Sequence, residues 1–162
     1  MTTDRSLSGV RLQRLMTWLS PAFPVGAFSY SHGLEAAVDT GMATDREDLS
    51  SWIEVIVSSG TGRVDAALFC AAYDAVGNDD TDGLAWVLER GDAMRPTREL
   101  GLETLSQGAA FVSAATRHWS SPWLVRLSDI AAETGREIAY PVVVGVTAAD
   151  HGIPELPALE AY

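Results

Sequence analysis

The chain has 162 residues and a formal net charge of −11, with 11 basic residues against 22 acidic ones. Its composition, 47% hydrophobic and 20% charged, is typical of a globular protein and excludes an extended disordered tail. All the basic residues are arginine, which excludes the lysine-dependent sites of P-loop NTPases, Schiff-base enzymes and protein kinases.

The acidic character and the single cysteine narrow the class of protein further. A sequence pI near 4.5 argues against nucleic acid and anionic membranes, because both are bound through surplus positive charge. Cys70 has no second cysteine to pair with, and the amino terminus lacks the pattern of a signal peptide. No apolar run approaches the roughly 18 residues of a membrane span. We therefore expect a soluble, cytoplasmic protein with one domain, residues 1–162.

Apolar residues recur at helical spacing from the start of the chain. The first predicted helix carries an apolar stripe of Val10, Leu12, Leu15, Met16 and Leu19. It ends near Ser20 and Pro21, because the residue before a proline avoids the α region. A second helix holds residues 34–38, with Gly41 where a carboxyl-terminal cap belongs.

The third and fourth helices give the clearest patterns. Thr44 and Glu47 match a capping box, which predicts a helix start at this point. The fourth helix, over residues 63–76, is apolar on most faces, so we expect it to be central or covered by a partner. The third helix carries one continuous apolar stripe, which consists of Leu49, Trp52, Ile53, Ile56 and Val57.

Three more helices follow an acidic loop. The fifth is predicted from Asp82 to about Arg95, where Pro96 interrupts it, and the sixth over residues 102–116. Ser121 and Pro122 begin the seventh helix, which Gly135 ends.

The last part of the chain contains one ambiguous segment and one short one. Residues 140–146 are rich in valine and could be a strand, but a single strand has no partner in this chain, so we predict a helix. Residues 157–162 begin like a helix and stop after barely one turn, which suggests a fold that continues in a longer protein. The prediction is an all-α bundle of about seven to eight helices.

The acidic loop could bind calcium. In residues 78–89 the oxygen ligands and Gly83 have the spacing of an EF-hand loop, although Asn78 is neutral and Trp86 cannot ligate directly. The alternative is a solvated loop in which Thr81 or Asp82 caps the fifth helix.

Other patterns that could indicate chemistry are weaker. Residues 29–33 nearly match the Gly-x-Ser-x-Gly nucleophile elbow, but the first glycine is Ser29 and no strand precedes it. No two histidines have the spacing that pairs ligands on a helix, and His32 has the best claim to a metal contact. Cys70, on an apolar helix, is expected to be a small buried hydrophobe.

The loop over residues 20–35 is the most unusual segment. Two prolines and two glycines make its backbone irregular, while Phe23, Val25, Phe28 and Tyr30 supply apolar and aromatic area. Such a loop is either buried as a plug at the end of the bundle or part of a contact surface. Aromatic residues on a stiff backbone are typical of interface hot spots.

This loop resembles the amino-terminal signature of the UreF family of urease accessory proteins. Residues 96–100, with the sequence Pro-Thr-Arg-Glu-Leu, and the turns at 140–145 and 152–154 are also similar to segments of that family. The signature residues that match are Ser20, Pro21, Phe23, Pro24, Val25, Gly26, Ala27, Phe28, Ser31, Gly33, Leu34 and Glu35.

The resemblance implies an all-α protein that is not an enzyme. UreF-like proteins bind a UreD/UreH-type partner and a UreG-type GTPase, some of them dimerise, and the assembly delivers nickel to the urease apoprotein. No tightly bound cofactor is expected, and nickel is handled by the complex. Family members run on through several more helices, so we expect this chain to lack the carboxyl-terminal ones.

The loop and the Thr-Arg-Glu-Leu segment together supply the interface candidates. The interface candidates are Pro24, Gly26, Phe28, Tyr30, Ser31, His32, Gly33, Glu35, Arg98 and Glu99.

The alternative function is a stand-alone metal-binding module, which would bind calcium or nickel at residues 78–89 or at His32.

Overall fold

The computed structural model describes residues 7–27 and 30–162, and these residues form nine α-helices and no strand. The all-α prediction is confirmed, with one helix more than the upper end of the predicted number. In chain order the helices are α1 (Gly9–Trp18), α2 (Leu34–Asp39), α3 (Arg46–Ser58), α4 (Thr61–Gly77), α5 (Thr81–Ala93), α6 (Arg98–His118), α7 (Pro122–Thr134), α8 (Tyr140–Asp150) and α9 (Glu155–Ala161).

Helix α8 forms the centre of the bundle with α4. Residues 141–148 are all buried, and α8 packs against α4, α6 and α7. A Cβ at Gly145 would lie 2.5 Å from the carbonyl oxygen of Phe69, so glycine allows the two helices to approach this closely. The helical prediction for residues 140–146 is confirmed, because these valines pack against neighbouring helices instead of pairing in a sheet. The expectation that the fourth helix is central is confirmed as well.

The amino-terminal caps of α3 and α5 differ from the predicted ones by one or two residues, whereas Ser121 precedes α7 as predicted. Asp45, not Thr44, caps α3, and its carboxylate accepts hydrogen bonds from the amides of Glu47 and Asp48. Asp48 in turn accepts from the backbone and hydroxyl of Thr44, which lowers the pKa of Asp48. The cap of α5 is Asp80. It precedes the two predicted caps, Thr81 and Asp82, by one and two residues. A carboxylate is a better acceptor than a hydroxyl, so aspartate takes the α3 cap.

The apolar side of α1 is only partly buried. Leu15 and Trp18 face the core, whereas Val10, Leu12 and Met16 from the predicted stripe are exposed. The indole of Trp18 was not part of that stripe, yet it is fully buried and lies edge-on to aromatic rings of the core. Trp18 therefore supplies the main anchor of α1.

Helix α3 carries the predicted apolar stripe, but none of its residues is buried. Its main contacts with another helix are with α4, which follows after a break at Ser59 and Gly60. The combined stretch Arg46–Gly77 is long and apolar enough to cross a membrane by length and composition. It contains charged residues such as Glu54 and Arg63, and one such stretch is weak support for a membrane span.

Candidate functional site

The loop over residues 20–35 divides into two parts with different roles. In the first part Phe23 is buried, and its ring lies 5.2 Å from that of Phe111 and 6.1 Å from that of Trp119. Val25 is partly buried against the same core. This first part is the plug at the end of the bundle that the sequence offered as one alternative.

The second part, residues 30–33, forms a tight surface turn. His32 has φ 49° and Gly33 has φ 80°, so two consecutive residues adopt the left-handed conformation. Glycine adopts it readily, whereas a side chain at position 33 would be strained. The indole N–H of Trp52 donates to the His32 carbonyl at 3.3 Å, which ties the turn to α3. A stiff turn of this kind presents its side chains in a fixed arrangement.

This turn forms one wall of a groove of about 1000 Å³. The other walls are the carboxyl end of α3, the amino end of α4 and the connection from α5 to α6. Apolar side chains line much of it, including Val55, Val64 and Leu100, while Glu99 and Glu103 add negative charge. The groove is open to solvent and large enough for several side chains of a partner.

A contact between His32 and Glu103 joins the turn to α6 at the bottom of this groove. His32 Nε2 lies 3.5 Å from Glu103 Oε1, and the Glu103 side chain is only 12% exposed. Gln107 donates a hydrogen bond to the same carboxylate oxygen at 3.2 Å. Burial raises the pKa of Glu103, while the nearby His32 and the hydrogen bond from Gln107 partly oppose that rise.

A smaller polar cavity of about 240 Å³ lies behind this pair. There Arg95 Nη1 donates to Asp65 at 2.8 Å, and Arg95 Nη2 donates to Thr104 at 3.3 Å. The hydroxyl of Tyr162 donates to Asp65 at 3.3 Å. His32 and Glu103 line both cavities, so this contact separates the groove from the inner cavity.

The two tyrosines of the inner cavity do not act as bases. Burial raises the pKa of Tyr140 to about 12 and the pKa of Tyr162 well above its ordinary value, with Asp65 adding to the rise at Tyr162. Both phenols are therefore protonated at neutral pH. The hydroxyl of Tyr162 is therefore a hydrogen-bond donor to Asp65, and neither tyrosine offers a nucleophile.

The calcium loop considered for residues 78–89 is not formed. Residues 81–89 belong to helix α5, so their side chains point along successive helix faces and cannot surround one ion. Asp80 serves instead as the N-cap and accepts from the amide of Gly83 at 2.8 Å. Across residues 7–27 and 30–162 no group of three His, Cys, Asp or Glu side chains could hold a metal ion.

The nucleophile elbow is not formed in the described part of the chain. Ser31 follows an irregular loop rather than a strand, and Ser29 lies outside the described residues. His151 has a packing role, since its ring contacts Arg14 at 3.0 Å and the Trp119 carbonyl at 3.1 Å.

Comparison with known proteins decides the family. The UreF family model matches residues 43–162, well over half of the chain. This chain belongs to the UreF family. It is 50% identical to urease accessory protein UreF of Rhodopseudomonas palustris strain TIE-1, over 91% of this chain and 60% of the relative. The UreF protein of Magnetococcus marinus strain MC-1 is 42% identical over 93% of this chain and 64% of the relative.

This UreF-family chain spans less than two thirds of the length of the relatives it matches. The coverage is 60% for the strain TIE-1 protein and 66% for that of Rhodopseudomonas palustris strain BisB18, which is 44% identical over 98% of this chain. The family resemblance noted in the sequence is thus confirmed, and the shared length contains the turn and the groove.

The structure brings half of the ten interface candidates together. Tyr30, Ser31, His32, Gly33 and Glu99 all line the groove. The other described candidates do not line it, and Phe28 lies outside the described residues. Those outside the lining are Pro24, Gly26, Glu35 and Arg98.

Sequence reasoning missed two polar residues of this UreF-family site. Glu103 follows Glu99 by four residues, so helical spacing alone could have placed it on the same face. Arg95 was assigned only to the end of the fifth helix, and it lies instead in the connection to α6. Its pairing with Asp65, 30 residues away, had no local signal.

Replacing Glu103 with glutamine is expected to stabilise the chain more at neutral than at acid pH. The pKa of Glu103 is raised in the folded chain from its ordinary 4.5, so the folded state holds this proton more tightly than the unfolded state. The contribution of the Glu103 carboxyl to stability therefore falls as the pH rises from about 4.5 through the raised pKa of the folded chain. Urea unfolding at about pH 4 and about pH 7 measures the difference between variant and parent.

The control variant is Glu99→Gln, which removes a charge from the exposed part of the same helix face. If the stability gained by Glu103→Gln stays constant or decreases from about pH 4 to about pH 7, that result would contradict a raised pKa at Glu103.

Proposed function

We propose that this UreF-family chain is a non-catalytic, cytoplasmic adaptor in the assembly of the urease nickel centre. In this role it bridges a UreD/UreH-type partner and a UreG-type GTPase, regulates that GTPase, and acts with them on the urease apoprotein. Membership of the UreF family supports an accessory role. The groove beside residues 30–33 supports a role based on binding proteins rather than on catalysis.

The single observation that carries the proposal is the groove itself. It combines a fixed turn, an aromatic side chain at its edge and apolar side chains in its walls, which are the features of a protein-binding hot spot. Tyr30 is 40% exposed at the edge of the groove, and Val55 in its α3 wall is 62% exposed. Because the turn is already held by Trp52, little conformational entropy is lost when a partner binds.

The charge of the groove favours partners with basic surfaces. Glu99 is exposed in the lining of the groove, whereas the nearby cation Arg95 is neutralised by Asp65. Complementary charge speeds association and selects the partner more than it adds affinity. With a net charge of −11 for the chain, this also agrees with the proposal that it binds neither nucleic acid nor membrane.

Nickel enters this proposal as cargo of the assembled complex. The chain contributes protein contacts, and in some family members a homodimer, while the complex as a whole transfers the metal ion.

The test replaces groove residues and measures assembly. We expect Tyr30→Ala/Glu99→Ala to bind a UreD/UreH-type partner at least about tenfold more weakly than the parent chain, since hot-spot side chains contribute at least this much. Biolayer interferometry with the immobilised partner measures the affinity, and circular dichroism checks that helix content is unchanged.

Val125→Ala/Glu133→Ala provides the matched control, because it removes one exposed apolar and one exposed acidic side chain from α7. Equal affinity for parent, groove variant and control would show that the partner docks elsewhere. Loss of helix content in the groove variant alone would show that these residues are structural.

A further inference from the structure

Helix α3 has a second exposed apolar side, separate from the one that faces the groove. Leu49, Ile53 and Val57 recur every four residues, so they form one row along the helix. They are 37%, 49% and 61% exposed. Val55 and Ile56 line the groove on another side of the helix. We call the row of Leu49, Ile53 and Val57 the outer face of α3.

The outer face is held in a fixed position by the junction with α4. A Cβ at Gly62 would lie 2.8 Å from the Cα of Val57, and one at Gly60 would lie 2.9 Å from the carbonyl oxygen of Ile56. Only glycine permits this close approach, so the two helices meet at a tight joint. An exposed apolar row on such a rigid support is typical of a protein interaction site.

The charges around the outer face are almost all negative. Residues 45–58, which form α3 and its amino-terminal cap, contain four acidic side chains and one basic one, Arg46, which gives a net charge of −3. Helical spacing places Glu47 and Glu54 along one flank of the row, and Asp45 and Asp48 lie at its amino end. A partner must therefore offer apolar side chains flanked by positive charge.

We propose that the outer face of α3 docks an amphipathic helix of another protein, with leucine-like residues on one side and lysine or arginine beside them. Two helices packed along their apolar rows are a common mode of peptide recognition. The row spans about 12 Å, so it accommodates two to three turns of such a helix. This proposal goes beyond the adaptor function and does not depend on what binds the groove.

The same charges argue against two other occupants. A second copy of the chain would bring two surfaces of net charge −3 together, and the repulsion opposes association. An anionic membrane is disfavoured for the same reason. A helix with basic flanks is the occupant for which both the apolar row and the acidic rim are favourable.

The experiment uses the whole chain and a labelled model peptide of about 18 residues, long enough to form a helix. The peptide carries leucine on one side and lysine on the other, and a second peptide has glutamate in place of lysine. Fluorescence anisotropy measures binding to the parent chain and to Leu49→Ser/Ile53→Ser. Leu102→Ser/Val125→Ser is the control, since its residues are 54% and 48% exposed on α6 and α7.

We expect the leucine–lysine peptide to bind the parent and the control equally, and the α3 variant at least about tenfold more weakly. The leucine–glutamate peptide should bind the parent at least about tenfold more weakly than the leucine–lysine peptide. All three proteins should have the same circular dichroism spectrum, because the replaced side chains are exposed.

Several results would overturn the proposal. Equal binding of the leucine–lysine peptide to all three proteins would show that the peptide is attracted to the acidic surface in general and not to the outer face of α3. Self-association of the parent that the α3 variant loses, detected by light scattering, would assign the face to a second copy. Binding to anionic phospholipid vesicles that the variant loses would assign it to a membrane. The leucine–lysine peptide could bind this chain and fail to bind a longer polypeptide that has the length of the relatives. That result would assign the face to further residues of the polypeptide.

Discussion

Replacing Gly108 with alanine is expected to lower the free energy of unfolding by about 3 kcal/mol. A Cβ at this position would overlap the carbonyl oxygen of Ile138, which is backbone and cannot rotate away. Helix α6 and the segment before α8 would have to separate, which loosens the packing of buried Ala139. Chemical denaturation of parent and variant under the same conditions measures the loss.

Gly101→Ala is the matched control in the same helix. A Cβ at Gly101 has only ordinary contact, 3.8 Å from the Cβ of Arg95. Because alanine favours helix over glycine, this variant should be as stable as the parent or more stable by about 0.5–1 kcal/mol. Equal effects of the two substitutions would contradict the close approach of α6 to Ile138.

Replacing Asp65 with alanine is expected to lower the free energy of unfolding by about 3 kcal/mol or more. The Arg95 side chain is only 6% exposed, and Asp65 is its partner at 2.8 Å. Without that carboxylate a buried guanidinium keeps its charge and has no counter-ion. Tyr162 also loses the acceptor of its hydroxyl. Urea unfolding at neutral pH measures the effect.

The double variant Asp65→Ala/Arg95→Met separates the cost of an unpaired charge from the loss of packing. Methionine retains much of the arginine stem without the charge, so the double variant should recover most of the lost stability. A double variant as unstable as the sum of the two single variants would show that the ion pair is not the cause.

The fold could be predicted well from sequence because helical spacing is a local signal. The valines of residues 140–146 were correctly assigned to a helix, since no second strand was available to pair with them. The caps were displaced because Thr44 and Asp45 are both able to cap, and only the folded geometry shows which oxygen meets the free amides. Trp18 was missed because its burial depends on distant aromatic rings.

The candidate site was predicted less completely, because its contacts join distant parts of the chain. The aromatic loop identified the turn at residues 30–33, and the Thr-Arg-Glu-Leu segment identified Glu99. The pairing of His32 with Glu103 spans 71 residues and has no trace in either segment. The exposure of α3 was also hidden, since an amphipathic stripe has the same spacing whether it meets a core or a partner.

We propose that this UreF-family chain is an adaptor for other urease accessory proteins. The most direct test is to co-express it with a UreD/UreH-type partner and a UreG-type GTPase, then to analyse the mixture by size-exclusion chromatography with light scattering. We expect one peak that contains the chain together with at least one partner. A folded, helical chain that elutes apart from both partners would contradict it.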